Sequence, residues 1–449
     1  MSNMNRSESD AVARQDSQGN EAINIGLLFL MAAVGMRVTR FQRMSIFGFE
    51  RGTGIWNFSI FKIVMLLCGA SLAAYLLTRP RARAIRVDLP LKLLGGYFIW
   101  ELMTFFWALY PAHVIPEAAR TLFKVTIYAL IITLTVSWGD IRRWGHLLMY
   151  MSFGFLGTAY HEGVVVGWFR AARLWGGTRY PGICANWSTF IMPFNLHYAA
   201  WGENHYERNL GIAGIVANLV TVYITTRRAA LVVLPIVFLL YMVLIGHRRK
   251  WLLFALLIIA TLMPIYIMRN PEYSRRVELT MLIAGGDAVA VEREDAGRMA
   301  QYIGGLEAAH QYWPLGMGVG GFKWWVQDYY GYFAEITLHN LPLHLIVQTG
   351  VLGFLLFGGY LYIGLSQLWT SYRYLINKKS IARASLAAAM LTALVGNLAY
   401  SFFQPIHHEI PMYLAIALGS IMLGLLRKEQ TAEKAADTAS EEAAGGAAT

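Results

Sequence analysis

Charged residues are scarce in this sequence, where Asp, Glu, Lys and Arg together make up only 14% of 449 residues. Hydrophobic residues make up 56% of the chain, and its mean hydropathy is +0.43. Apolar runs of nearly twenty residues recur, and each is long enough to cross a hydrocarbon core of ~30 Å at ~1.5 Å per residue. The composition therefore predicts an all-α polytopic membrane protein.

Cysteine is almost absent as well. Cys68 and Cys184 lie in or beside apolar segments and lack the spacing of metal ligands, so we interpret them as packing residues. The net charge of +11 comes largely from Arg and Lys in the loops. This distribution indicates membrane topology and contact with membrane lipids, and it gives no reason to expect nucleic-acid binding.

Hydropathy predicts about twelve membrane spans. The first 21 residues are polar and lack the n-region and cleavage site of a signal peptide, and residues 427–449 are rich in Ala, Glu and Thr, so we expect both ends to be disordered and cytoplasmic. Between them we expect membrane spans 1–9 in residues 22–268, a long polar loop at 269–341, and spans 10–12 in 342–426. The spans are predicted at about 22–36, 55–77, 89–109, 117–137, 144–167, 184–200, 210–224, 229–246, 251–268, 342–365, 384–402 and 410–426.

Basic residues in the short loops predict the orientation of the chain. With the N-terminus inside, Arg79–Arg83, Arg142–Arg143 and residues 247–250 face the cytoplasm, and the long loop at 269–341 lies on the outer face. That loop is far longer than usual connections between elements. The arginine-rich loop at 37–54 disagrees with this orientation, so either the first span is irregular or these arginines attract an anionic partner.

Four charged residues are predicted inside spans 2 to 5, at one common depth about 10 Å below the outer surface. They are Lys62, Glu101, Lys124 and Glu162. Charges inside a membrane are costly and face a partner or a water-filled cavity. A set of structural ion pairs would explain them equally well. In either case we expect spans 2 to 5 to place their polar faces together.

Arginines form three clusters on the predicted outer face. The planar guanidinium matches phosphate oxygens and stays charged at any working pH, although snorkelling at the interface explains many such residues. Together the clusters suit an anionic, phosphate-bearing, lipid-linked substrate entering from the outer leaflet. The clusters are Arg170, Arg173 and Arg179; Arg227 and Arg228; and Arg293 and Arg298.

The His339-Asn340 pair ends the long loop and begins the tenth predicted span. It could form a catalytic site at the bilayer surface, or the histidine could simply anchor the end of a helix. His310, His407 and His408 are also predicted on the outer face, so position alone does not decide between the two. We expect Asn340 to cap the helix, with orientation of the histidine as the alternative.

Three short motifs resemble the O-antigen ligase and polymerase superfamily, over roughly residues 170–360. Arg227 stands where that family usually has Ser, and Gln348 where it often has Glu. Without a Lys-Ser/Thr pair after it, the glycine series in the second motif is interpreted as a turn packed against the bilayer surface. The motifs are Thr226–Leu231, resembling a Ser-Arg-Gly/Ala-Ala turn; Gly297-Arg298 with Pro314–Phe322, resembling Arg followed by P-x-x-G-x-G-x-G-x-F; and His339–Leu343 with Gln348–Gly353, resembling H-N-x-x-L…E-x-G-x-x-G.

The resemblance implies a GT-C type glycosyltransferase of the bacterial inner membrane, with its active site facing the periplasm. It would transfer O-antigen polysaccharide from undecaprenyl diphosphate to a sugar hydroxyl of lipid A-core, in lipopolysaccharide biosynthesis. His339 would act as general base. No metal or other cofactor is expected, because arginines would neutralise the diphosphate and the sequence has no Asp-x-Asp pair. The arginines implied are Arg228 and Arg298, assisted by Arg227, Arg173 or Arg179.

Two alternatives stay open. A polymerase of the same superfamily would use the same donor and a growing glycan as acceptor, and a family member that transfers glycans to protein is a further variant. A transporter or flippase of lipid-linked sugars belongs to a different class. Transporters commonly show internal repeats and helices broken at the midplane, and no repeat is evident in this sequence.

Overall fold

The computed structural model describes residues 25, 27–32, 87–166, 181–225, 227–246, 301–330, 338–404 and 409–446. Every regular element in these residues is a helix. Residues 27–32 are helical, and short 3₁₀ turns cover Thr104–Phe106 and Pro111–His113. The longer helices are α1 (Leu89–Met103), α2 (Val114–Leu134), α3 (Trp138–Val166), α4 (Pro181–Trp201), α5 (His205–Thr225), α6 (Arg228–Ile245), α7 (residues 301–311), α8 (Phe322–Tyr330), α9 (Leu341–Asn377), α10 (Ile381–Ser401) and α11 (Ile410–Gly446).

The helices agree with a polytopic membrane protein. By length and apolar composition, three of the described helices could cross a membrane, and they are Leu341–Asn377, Ile381–Ser401 and Ile410–Ser440. The predicted spans at 55–77 and 251–268 lie outside the described residues. The number of spans and the GT-C type therefore stay predictions, while the all-helical architecture is confirmed for the described part of the chain.

Helix α9 is the central element, and it packs against α1, α10 and α11. Glycines let α9 and α11 approach closely: a Cβ on Gly364 would lie 2.6 Å from the Ile416 side chain, and one on Gly419 would lie 2.7 Å from Leu368. Small residues commonly serve this purpose between membrane helices. Because only residues 378–380 connect α9 to α10, these two helices form an antiparallel hairpin.

The C-terminal segment corrects a prediction. Residues 427–449 were expected to be disordered, but α11 continues through Gly446. Its polar part contacts the other helices: Trp138 Nε1 donates to Glu429 at 2.9 Å, and Arg383 pairs with Glu429 at 3.0 Å. The reason is physical: Ala, Glu and Lys are good helix formers, and a helix already nucleated by the apolar part of α11 can be extended without a new nucleus.

Candidate active site

Helix α9 is interrupted at Gly350, which has φ 67° and ψ −166° and separates the residues before it from the rest of the helix. A break of this kind frees main-chain carbonyls that would otherwise bond within the helix, and buried carbonyls need other partners. Residues 341–349, the first segment of α9, are therefore not held in line with residues 351–377, the second segment, by the usual helical hydrogen bonds.

The freed groups bond to residues 314–321, which we call the glycine-rich segment. It follows α7 and lies directly against the break, so that main-chain atoms of both pieces pair as they would between strands. Three bonds join them: Met317 N to Val347 O at 2.9 Å, Gly318 N to Gln348 O at 3.1 Å, and Val351 N to Pro314 O at 2.9 Å.

Close approach of the two backbones explains the glycine at position 316. Gly316 has φ +77°, and a Cβ there would lie 2.5 Å from the main-chain nitrogen of Gly350. The segment packs inside the protein, against α9 and against Ala108 in the loop after α1. The main-chain donors of Met317 and Gly318 thus have helix carbonyls as partners. The location of this turn at the bilayer surface stays a prediction.

Two side chains add bonds at the same place. Gln348 is buried, and its Oε1 accepts from Gly320 N at 3.0 Å. The indole Nε1 of Trp100 donates to Thr349 O at 2.7 Å. Gln348 thus supplies a hydrogen-bond acceptor, which is a task that the Glu often found at this motif position could also perform.

His339 lies just before the start of α9, between two anchored neighbours. Asn340 is the N-cap, and its side-chain oxygen accepts from Leu343 N at 3.0 Å, as the sequence predicted. Leu338 is buried, while His339 itself is half-buried. The histidine is therefore presented at a fixed helix start, partly open to solvent.

The surroundings of His339 form a small apolar core of their own. Helices α7 and α8 pack against the first segment of α9, and a Cβ on Gly305 would lie 2.6 Å from Leu338. The buried members of this core are Ala308, Met317, Phe322, Trp325, Val326, Leu338 and Val347. This cluster holds the His339 region on the glycine-rich segment and α8.

Polar and aromatic contacts tie α8 to the loop between α1 and α2. The Tyr110 hydroxyl donates to Asp328, and burial together with this carboxylate raises the pKa of the Tyr110 phenol, which stays protonated. The His113 ring stacks on Trp324 with ring centroids 4.6 Å apart. These contacts join the loop between α1 and α2 to the part of the chain that presents His339.

The structure describes the predicted arginines only in part. Arg227 is half-buried and extended, and it immediately precedes α6, whose first residue is Arg228. The Arg228 side chain lies outside the described atoms, and Arg173, Arg179 and Arg298 lie outside the described residues. The start of α6 can nevertheless be located within the bundle.

Contacts place Arg227 and His339 at the same end of the bundle. Ala230 and Tyr400 share a buried cluster, and the Tyr400 hydroxyl donates to Gly182 O at 3.1 Å, so α6 and α4 begin where α10 ends. Because α9 and α10 form an antiparallel hairpin, α9 also begins at that end. The two motifs that contain Arg227 and His339 therefore lie on one side of the molecule.

Two of the four predicted intramembrane charges are described. Glu101 on α1 and Lys124 on α2 are both buried on neighbouring helices. The Tyr97 and Thr121 side chains face the Glu101 carboxyl, and the Lys124 ammonium donates to Arg120 O at 3.0 Å. Lys62 and the side chain of Glu162 lie outside the described part, so the wider cluster stays a prediction.

No group of three His, Cys, Asp or Glu side chains that could hold a metal is found within the described residues.

The break in α9 and the bond between Trp100 and Thr349 were not predicted from the sequence. One signal was present: an isolated glycine inside an apolar helical run, such as Gly350, often marks a packing or functional constraint.

Comparison with known families places this site in context. Residues 213–358 match the family described as O-antigen ligase. The matched part runs from α5 into α9, and it includes Arg227, the glycine-rich segment, His339 and the break at Gly350. A comparison with curated proteins finds no matching sequence.

Proposed function

Because residues 213–358 match the family described as O-antigen ligase, we propose that the chain is a membrane glycosyltransferase of the ligase type. It transfers a polysaccharide from undecaprenyl diphosphate to a sugar hydroxyl of lipid A-core, at the periplasmic face of the bacterial inner membrane. The observation that carries the proposal is the location of His339 at the same end of the bundle as the Arg227-Arg228 motif, inside the matched region.

The proposed reaction is a displacement at the anomeric carbon of the donor. The acceptor hydroxyl oxygen forms the new bond to that carbon, the bond from carbon to diphosphate oxygen breaks, and undecaprenyl diphosphate leaves with the electron pair. His339 accepts the proton of the hydroxyl as general base; an unperturbed imidazole, with pKa ~6.5, can do this at neutral pH. Its half-buried position leaves room for an acceptor to approach.

In this proposal arginines neutralise the charge that develops on the leaving diphosphate, and no metal ion is needed. The guanidinium fork can bind two phosphate oxygens at once. The start of α6 suits this role, since its free main-chain N–H groups and positive dipole end also favour an anion. The proposed ligands are Arg228 and Arg298, assisted by Arg227, Arg173 or Arg179.

The family match supports a polymerase as a second candidate. It would use the same donor and place a growing glycan where the ligase places lipid A-core. Lipopolysaccharide gels of a deletion strain distinguish the two. Loss of the whole ladder with free lipid-linked polymer retained indicates a ligase, and a band with a single repeat indicates a polymerase.

The direct test is His339→Ala in proteoliposomes supplied with the lipid-linked glycan and lipid A-core. We expect transfer to fall by about 10²- to 10⁴-fold, the usual contribution of a general base, with donor binding unchanged. His310→Ala is the matched control, because His310 is an exposed histidine on α7 in the same region. Wild-type rates in His339→Ala, at equal membrane insertion, would refute the assignment of the base.

A further inference from the structure

The break at Gly350 raises the question of what fixes the direction of the first segment of α9. Within an unbroken helix, residues 341–349 would be aligned by the helix itself. Here the segment is attached through contacts to other elements, and His339 and Asn340 stand at its far end. Any change in its tilt would be amplified at His339, which precedes Gln348 by nine residues in the sequence.

Main-chain bonds from the glycine-rich segment supply part of that attachment. They end at the last turn of the first segment, at Val347 and Gln348. The Gln348 side chain adds a second bond in the same sense, since its Oε1 accepts from Gly320 N at 3.0 Å. Gln348 thus accepts two bonds from the glycine-rich segment, one at its main-chain carbonyl from Gly318 N and one at its side-chain amide oxygen from Gly320 N.

Two acceptors on one residue, holding donors two residues apart, fix an orientation as well as a distance. A single bond would allow the first segment to pivot about it. Gln348 is also buried, so water does not compete readily for its amide oxygen. A Gly320 N–H left without this acceptor would be a costly orphan.

We propose that Gln348 is a positioning residue for His339: its amide oxygen locks the glycine-rich segment onto the first segment of α9 and thereby sets where His339 is held. This inference rests on the proposed function for the role of His339. Gln348 itself acts through main-chain atoms of Gly320. Displacement of a reacting group by ~1 Å can cost about 10²-fold in rate, so a modest change of tilt has a large effect.

The variants are chosen by acceptor chemistry. Gln348→Met keeps the length of the side chain and removes the oxygen, whereas Gln348→Glu keeps an acceptor. Gln367→Met is the matched control: Gln367 lies on the second segment of the same helix, and its Oε1 accepts a comparable bond from Ser420 at 2.6 Å. It loses an equivalent bond far from His339.

Two measurements are made on the full-length protein in proteoliposomes. In transfer assays we expect Gln348→Met to lower kcat by about 10- to 100-fold with the KM for donor unchanged, and we expect Gln348→Glu to recover most of it and Gln367→Met to match wild type. In hydrogen exchange we expect Gln348→Met to speed exchange in residues 316–321 and 341–349 but not in 355–370.

The outcomes separate this inference from the proposed function. If Gln348→Met leaves hydrogen exchange in residues 316–321 and 341–349 unchanged, the lock is refuted, whatever the transfer activity of the variant. Faster exchange with normal kcat, or a kcat loss that Gln348→Glu does not restore, overturns the positioning role. A wild-type protein that transfers no glycan overturns the proposed function and with it the role at His339, while the exchange result still decides whether Gln348 makes the lock.

Discussion

At the scale of single residues, Gly350 has little freedom to change. Its φ of 67° and ψ of −166° belong to a region that other residues adopt at a cost of about 1–3 kcal/mol. A Cβ would also lie 2.2 Å from Pro314 O. We expect Gly350→Ala to lower the melting temperature clearly and to abolish transfer, as measured by thermal unfolding in detergent and by the transfer assay.

Gly358→Ala is the control for that prediction. Gly358 lies on the same helix, and a Cβ added there meets nothing within 4 Å. Alanine is the better helix former by up to about 1 kcal/mol, so this variant should be as stable as wild type or slightly more so. Equal melting temperatures for the two variants would show that the break at Gly350 is not needed.

Arginine chemistry gives a second prediction at this scale. Arg228→Lys should reduce transfer at least about tenfold although it keeps the charge, because an ammonium cannot reproduce the bidentate fork. Arg298→Lys should behave in the same way, with the loss appearing in the KM for donor. Arg208→Lys, at the opposite end of the bundle near Gly202, should have no effect. Near-normal KM values for donor in both Arg228→Lys and Arg298→Lys would mean that these arginines only anchor the chain at the membrane interface.

Sequence reasoning worked for residues whose role is local. Asn340 was predicted as a cap because an Asn before an apolar run can bond to the main chain three residues on, and its bond to Leu343 is present. The acceptor role of Gln348 was not predicted, because its partner Gly320 is 28 residues away in sequence. Pairing over that separation leaves no periodic signal.

At the scale of elements, apolar runs located the helices to within a few residues. The run predicted at 184–200 is helix Pro181–Trp201, and the run at 210–224 is helix His205–Thr225. Hydropathy did not give helix length where polar residues continue the helix. The second segment of α9, residues 351–377 beyond the break at Gly350, is about 40 Å long at ~1.5 Å per residue, which exceeds the hydrocarbon thickness of ~30 Å.

The packing of α1 on α2 leads to a prediction about Glu101. If Glu101 and Lys124 form the predicted ion pair, removing Glu101 takes that carboxylate away from the buried Lys124 ammonium, a change that costs about 3–5 kcal/mol in buried pairs. Glu101→Ala should therefore destabilise the protein more than Ile99→Ala, which truncates an exposed side chain on the same helix.

The double variant Glu101→Ala with Lys124→Ala provides the decisive comparison, by thermal unfolding in detergent. If the two charges are coupled, the double variant should be more stable than the sum of the single losses predicts. Additive losses would mean that Glu101 and Lys124 are each held by other groups, and the proposed polar cluster of spans 2 to 5 would not exist at this pair.

At the scale of the whole molecule, the two ends of the bundle differ in chemistry. One end carries the glycine-rich segment, His339 and Arg227. The other carries ion pairs between different helices: Arg142 with Glu203 and Glu207, Arg383 with Glu429, and Lys378 with Glu433. The exposed pairs among them contribute little to stability. Their basic members still favour the cytoplasmic side, because acidic residues contribute little to topology.

That asymmetry predicts which end faces the periplasm, and labelling with a membrane-impermeant maleimide can test it. The parent carries Cys68→Ala and keeps Cys184, which is fully buried and should give a low background. Gln311→Cys at the end of α7 and Ala435→Cys on the extension of α11 are both at exposed positions. In spheroplasts we expect the position 311 variant to react before lysis and the position 435 variant only after it. The reverse pattern would mean that the protein has the opposite orientation in the membrane, with His339 on the cytoplasmic side. An acceptor delivered at the periplasmic face could not reach it there, so this experiment bears on the proposed reaction as directly as any substitution in the site.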